Sequence, residues 1–357
     1  MDTPSKKRAL GRSGYVALIA LTLFAGGCRK RALPGSATTT TSATATATTS
    51  ATATEPIAKG GSSPDDKPLP RPSAKASRPQ LDPVLKFVPA DGLRGPASVL
   101  HDEVSDVYFV SNVDGAPAAA DGKGFISKLS PDGKKILLRW IDGGKNKVVL
   151  NAPKGMAIQG NELYVADIDT VRVFDRRSGA PLGKVTVEGA TFLDDLAVTA
   201  DGRILVSDTG LRASAGGGLE ESGTDAIYSI YWDRYGSNFV LFAKKELAGP
   251  TALFVTPNKI WGVASRTGEI FSIGPKGKLE DVHRLPDGAL EGIVGTGSDL
   301  LVASRAASAI FRGKPDGDWR IAIGDVKSPA DIGYDEKRKR VLVPLFTEDE
   351  VRIFQLE

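Results

Sequence analysis

From residue 83 onward, apolar and polar positions alternate in short runs, and turns rich in glycine or aspartate separate the runs. A period of two predicts β-strands with one face turned to a core. The runs recur as a larger unit: an apolar strand, a turn, a second strand ending in small or acidic residues, then a third. First and second strands read GPASVL…DVYFVSN, APKGMAI…ELYVADI, LDDLAV…RILVSDTG, GPTALFV…KIWGVAS, LEGIVGTGSDLLVAS and SPADIGY…RVLVPLF. Third strands follow as FISKLS, TVRVFD, AIYSIYWD, EIFSIG, AIFRGK and EVRIFQ. Aligned on Pro96, Pro153, Asp194, Pro250, Leu290 and Pro329, the units are spaced by 57, 41, 56, 40 and 39 residues. Three of these spacings lie near the roughly 40–45 residues of a four-stranded propeller blade, and the two longer ones hold glycine-rich insertions.

The expected fold is therefore all-β: a six-bladed β-propeller of four-stranded antiparallel blades over 83–357. No segment keeps a helical apolar period. The last unit stops at its third strand, Val351 to Leu356, and lacks a fourth. The apolar segment Val84 to Val88 precedes the first blade and is expected to fill that place. Pairing of the N- and C-terminal strands would close the ring and remove two exposed edges.

Composition narrows the chemistry. Forty glycines and 22 prolines fit many turns. A single cysteine excludes internal disulfides and multi-cysteine metal sites, and two histidines make a histidine-rich metal centre a poor expectation. The net charge of +3 conceals an asymmetry: residues 1–80 carry +8 and the remainder −5. A mildly acidic folded body has no nucleic-acid footprint, so no nucleic-acid partner is expected.

The basic segment has its own logic. Lys6, Lys7, Arg8 and Arg12 precede the apolar run Tyr15 to Ala25, which is too short for an ordinary membrane span and reads as the core of a signal peptide, 1–27. Ala25-Gly26-Gly27-Cys28 resembles a bacterial lipobox, with Ala25 where leucine is usual. The resemblance implies that Cys28 is lipidated and anchors the chain in a membrane, since each buried methylene adds roughly 0.8 kcal/mol. Arg29, in place of aspartate, points by the same resemblance to the outer membrane of a bacterial envelope, periplasmic or surface-facing. Residues 28–82 are rich in Thr, Ala, Ser and Pro and cannot bury enough apolar surface to order themselves. They are expected to be a disordered tether spanning about 40 Å as a flexible coil. A monomer is expected.

In a propeller, the heads of the inner strands and the ends of the second strands share one face around the channel mouth. Lys154, Asp194, Asp195, Glu291 and Asp331 head inner strands, and Asp167, Asp169 and Asp208 end second strands. These eight are the candidate ligand-binding residues, with Arg94, Arg266 and Arg305 as further counter-charges. Lys154 at the channel centre needs a carboxylate, and Asp194 on the next blade is its expected partner. The long connections Asp114 to Gly124 and Thr209 to Asp225 fall on the same face and are candidate binding loops. An aspartate that ends a strand can equally hold a turn together through its own backbone.

APKGMAIQGNELYVAD and LDDLAVTADGRILVSDTG resemble the gluconolactonase, senescence-marker-protein and luciferin-regenerating-enzyme family of six-bladed propellers, with a weaker likeness to NHL-repeat propellers. That resemblance covers most of 83–357. It implies a divalent metal held by Glu before Gly-Pro, by Asn in Pro-Asn-Gly and by Asp in Pro-Asp-Gly, with the metal polarising a lactone or ester carbonyl. This chain carries Arg94 in RGP, Lys154 in PKG and Asp194 in LDD at those positions. Two cations would repel a metal. The favoured expectation is a lipid-anchored module binding a polar small molecule, glycan or protein at the mouth. The alternative is a lactonase-type hydrolase with calcium or zinc in a rebuilt site of Asp194, Asp167, Asp208, Glu291 and Asp331, Asp194 then being catalytic.

Other constellations are weaker. There is no Gly-x-Ser-x-Gly elbow and no P-loop. His101 and His283 fall away from the mouth and are expected to be structural or exposed. Asp335 to Arg340, DEKRKR, reads as a solvated hairpin turn, and Trp140, Trp232, Trp261 and Trp319 as packing between blades.

Overall fold

The computed structural model describes residues 81–88, 92–232, 237–242, 245–274 and 277–356. Cys28, the signal segment and the tether up to residue 80 lie outside the described residues. Each alternating run forms a strand, and the strands group into six four-stranded antiparallel sheets. The innermost strands of blades 1 to 5 are Pro96–Asp102, Pro153–Gln159, Leu193–Val198, Pro250–Val255 and Leu290–Thr296, and that of blade 6 is the short Gly333–Asp335.

The ring closes as expected. Leu85–Phe87 is the outermost strand of blade 6 and pairs antiparallel with Glu350–Gln355, in the register Leu85 with Ile353 and Phe87 with Val351. Phe87 is 1% exposed and packs with Val99, Tyr108, Leu129, Leu342 and Ile353 between blades 6 and 1. Five further apolar clusters fill the other junctions, one between each pair of neighbouring blades. The core of this molecule is thus a set of six interfaces. Trp140, Trp232, Trp261 and Trp319 all belong to or pack against these clusters, as expected.

Inner strands of adjacent blades approach so closely that side chains are excluded at the contact. A Cβ on Gly155 would lie 2.5 Å from the Asp195 backbone, and one on Gly333 would lie 2.1 Å from the Val99 carbonyl oxygen. The glycine after each of Lys154 and Ile332 is therefore a packing requirement.

One expectation needs correction. The turn Asp335 to Arg340 is not merely solvated. Asp335 is fully buried and accepts the Tyr108 hydroxyl at 2.6 Å, while Arg338 reaches Asp335 at 2.9 Å and Asp106 of blade 1 at 2.6 Å. Lys337 adds a contact to Asp106 at 3.0 Å. His101, buried on the inner strand of blade 1, lies 3.2 Å from Asp106 and edge-on to Tyr108. The run is an ionic clasp that joins the last blade to the first. His283 lies on the outermost strand of blade 4, Leu279–Arg284.

Candidate functional site

The heads of the inner strands surround a cavity of about 150 Å³ at the channel mouth. Its polar lining includes Lys154, Asp194, Thr209, Glu291, Arg305 and Asp331; Phe192, Phe346 and Val113 supply apolar wall. Four of the eight candidate residues therefore meet in one pocket, together with Arg305.

Lys154 is 5% exposed. Its ammonium lies 3.9 Å from the centre of the Phe192 ring and 3.4 Å from the Ala152 carbonyl oxygen. Burial lowers its pKa, opposed by the charges of Asp194, Asp167 and Asp208. The expected direct pairing with Asp194 is not formed. Asp194 Oδ2 instead accepts the Thr209 hydroxyl at 2.7 Å, and the aromatic face takes the ammonium. The two charges still act on each other through the pocket: burial raises the Asp194 pKa, and Lys154 pulls it back.

Glu291 pairs with Arg305 at 2.9 Å, yet burial pushes its carboxyl up to about 8, helped by Asp194 and Asp331. Asp331 accepts the Ser98 hydroxyl at 2.6 Å across the junction of blades 6 and 1, and burial raises it to about 7. Asp195 faces further down the channel. It accepts the backbone N–H groups of Leu196 at 2.6 Å and Leu253 at 2.8 Å, and burial with the nearby Asp331 charge raises its pKa well above the carboxylate range.

Asp167, Asp208 and Asp169 stand apart. Asp167 is fully buried; it accepts the N–H groups of Asn151 at 3.0 Å and Ala152 at 2.8 Å, and pairs with Arg172 at 2.9 Å. Asp208, equally buried, accepts N–H groups from Phe192 at 2.9 Å, Gly210 at 3.1 Å and Thr191 at 3.2 Å. Each fastens the segment that leads into the inner strand of its own blade. Asn112 does the same in blade 1 with the N–H of Arg94 at 3.0 Å. Asp169 is exposed and accepts the hydroxyl of Thr170 at 2.8 Å.

The rebuilt metal set is not assembled. Among the described residues, no group of three or more His, Cys, Asp and Glu side chains is arranged to hold a metal ion. The donor chemistry agrees. Lys154 stands in the mouth as a cation, and Arg94 at the blade 1 position donates to the Leu93 carbonyl at 2.7 Å and lies 3.8 Å from Asp349. These residues do not fit the divalent cation that the family resemblance implies.

The connection Thr209 to Asp225, expected as a loop, contains a separate two-stranded hairpin, Leu211–Ala213 with Leu219–Glu221. Leu211 and Leu219 reach the mouth cavity. The hairpin base is held by Arg266, which pairs with Asp225 and donates to the Thr209 carbonyl at 3.0 Å. Pro117, from the Asp114 to Gly124 connection, also lines the mouth. Phe192 and Phe346 are mouth residues that sequence reasoning did not single out, and Thr209 was marked only as the start of a candidate binding loop. For Phe192 a signal existed: an aromatic residue directly before the inner strand LDD.

No family model matches the chain, and no curated protein matches it. Solved structures do. A gluconolactonase from Xanthomonas campestris superposes with a TM-score of 0.58 at 18% identity, over 79% of this chain and 96% of that one. Virginiamycin B lyase from Staphylococcus aureus gives 0.53 at 13% identity, over 76% and 99%. The WD40 propeller domain of Doa1 gives 0.51 at 13% identity, over 73% and 78%. Proteins with such different names share this likeness, and what they have in common with the chain is the fold: it is a six-bladed β-propeller, similar in architecture to gluconolactonases and virginiamycin B lyases.

Proposed function

We propose that the chain is a binding propeller, lipid-anchored through Cys28 in a bacterial envelope, that takes a small polar ligand, or the polar tip of a glycan or protein, at its channel mouth. The observation that carries this reading is the buried Lys154 ammonium set over Phe192 in the same pocket as Asp194, Glu291 and Asp331. A pocket with both charge signs, a hydroxyl and an aromatic wall suits a ligand rich in donors and acceptors. Carboxyls held near neutrality can donate as well as accept hydrogen bonds. At about 150 Å³ the cavity is smaller than the roughly 300–1,000 Å³ of ordinary small-molecule sites. It therefore suits a compact molecule or one group of a larger one. Against a metal-dependent lactonase, among the described residues no three His, Cys, Asp or Glu side chains are arranged to hold a metal ion, and Lys154 shares the pocket with the carboxyls.

The test is a thermal-shift and calorimetric screen of the purified chain against neutral monosaccharides, sugar acids and amino acids. At least one class is expected to raise the melting temperature of the wild type and to lose that effect in Lys154→Met and Asp194→Asn. No shift with any class, or calcium- or zinc-dependent hydrolysis of lactones or aryl esters, would overturn the reading.

A further inference from the structure

The channel has a second, larger cavity of about 580 Å³ at its other end, below the mouth. Its wall is an apolar collar. Leu100, Ile158, Val198, Val255, Val294 and Tyr334 line it, one from each blade, and all six are half-buried. Above the collar the lining changes to two carboxyls, Asp195 and Asp331.

Those carboxyls lack a cation. Among the described residues neither makes an ion pair. Arg305 serves Glu291 at 2.9 Å, Arg176 serves Asp102 at 3.3 Å, and Lys154 lies over Phe192 in the mouth. The bonds they do receive are neutral, from Ser98, Leu196 and Leu253. The Asp331 charge opposes ionisation of Asp195, and with no cation paired to either acid the upper lining has a deficit of positive charge beside the apolar collar. At the outer end the buried Asp102 and Arg176 pair with each other, and among the described residues Asp102 Oδ2 and Arg176 Nε have no hydrogen-bond partner. The cavity thus has unmet negative charge at its upper end and an apolar collar below it.

We propose that this lower cavity is a second binding site, for an organic amine whose ammonium meets Asp195 and Asp331 and whose apolar body fills the collar. It lies on the far side of Asp331, which lines both cavities, and its collar and Asp195 take no part in the reading of the mouth. The charge deficit selects a cation. The collar selects a cation with a hydrocarbon body over a hydrated metal ion, because filling it removes apolar surface from water.

The experiment is calorimetric titration of the full chain at pH 8 with hexylamine, hexan-1-ol, hexanoate and calcium chloride. Hexylamine is expected to bind one to one, with the alcohol and the carboxylate at least about tenfold weaker. Asp195→Asn should weaken hexylamine by a similar factor. Val255→Trp, which fills the collar and leaves the carboxyls untouched, should abolish binding, and it carries the test if the first variant does not fold. The proposal is overturned if hexanol binds as tightly as hexylamine, if calcium alone saturates the site, or if both folded variants bind hexylamine as the wild type does.

Discussion

Replacing Glu291 by glutamine should flatten the pH dependence of folding stability above pH 4.5 and make the protein more stable at pH 8. Glu291 heads the inner strand of blade 5, and its carboxyl is raised from 4.5 to about 8 chiefly by burial. A raised carboxyl binds its proton more tightly in the folded chain than in the unfolded one. Its contribution is complete below pH 4.5 and is lost as the pH rises through about 8. At 1.36 kcal/mol for each pH unit between the two pKa values, the full loss is about 5 kcal/mol. The side chain keeps 16% of its surface exposed, and water reaching it brings the figure to roughly 3–5 kcal/mol. Glutamine keeps the shape and cannot ionise. Urea unfolding of both proteins at pH 5, 6, 7, 8 and 9 isolates the effect from the other mouth carboxyls. The two should be nearly equal at pH 5, and the variant should gain progressively up to pH 8 and no further. A constant difference across the range would refute the reasoning, as would a variant that loses stability relative to the wild type at pH 8, which would mean that the Arg305 pair outweighs burial.

Phe87→Ala should cost about 3–5 kcal/mol in urea unfolding, because the ring is buried where the closing strand meets blade 1; a cost below 1 kcal/mol would show that closure contributes little. Asp208→Ala should cost about 2–4 kcal/mol, since it strands buried N–H groups of Phe192 and Gly210; an unchanged denaturation midpoint would count against its role as a fastener. Lys154→Met should be neutral or stabilising by up to about 2 kcal/mol, since it removes a buried ammonium with no direct carboxylate partner; a melting temperature lowered by more than a few degrees would show that the ammonium holds the mouth together. Cys28→Ser should move the protein from the membrane to the soluble fraction, or stall it at the inner membrane; wild-type partitioning would end the anchor reading.

Much of the architecture was legible because propeller strands repeat the same half-buried alternation, and the missing fourth strand of the last unit announced its replacement near Leu85. The site was legible only in outline. Asp167, Asp208, Asp194 and Asp331 look alike in sequence, as acids at strand ends. What divides them is whether backbone N–H groups of the preceding connection point at the carboxylate, and that depends on loop paths that no periodicity records. Lys154 was singled out, but its seat on Phe192 was not, because the aromatic residue comes from the next blade. Asp335 to Arg340 read as a turn because its partners, Asp106 and Tyr108, lie more than two hundred residues away in the chain. The hairpin Leu211–Ala213 with Leu219–Glu221 was hidden by strands of three residues each and a glycine-rich tip.

The closing seam also sets a timetable for synthesis. Leu85 is made early, but its partner Ile353 follows 268 residues later. The other links across the seam wait for 227 to 254 residues: Ser98 for Asp331, Tyr108 for Asp335, Asp106 for Arg338 and the Gly95 N–H for Asp349. Strands within a blade meet their partners locally and can pair as they emerge from the ribosome. The ring itself cannot close until the strand holding Ile353 has left the tunnel. Until then the first blade carries an open flank of buried-type side chains, Val99, Tyr108 and Leu129 among them. That flank is the surface a chaperone would have to shield while the chain is finished.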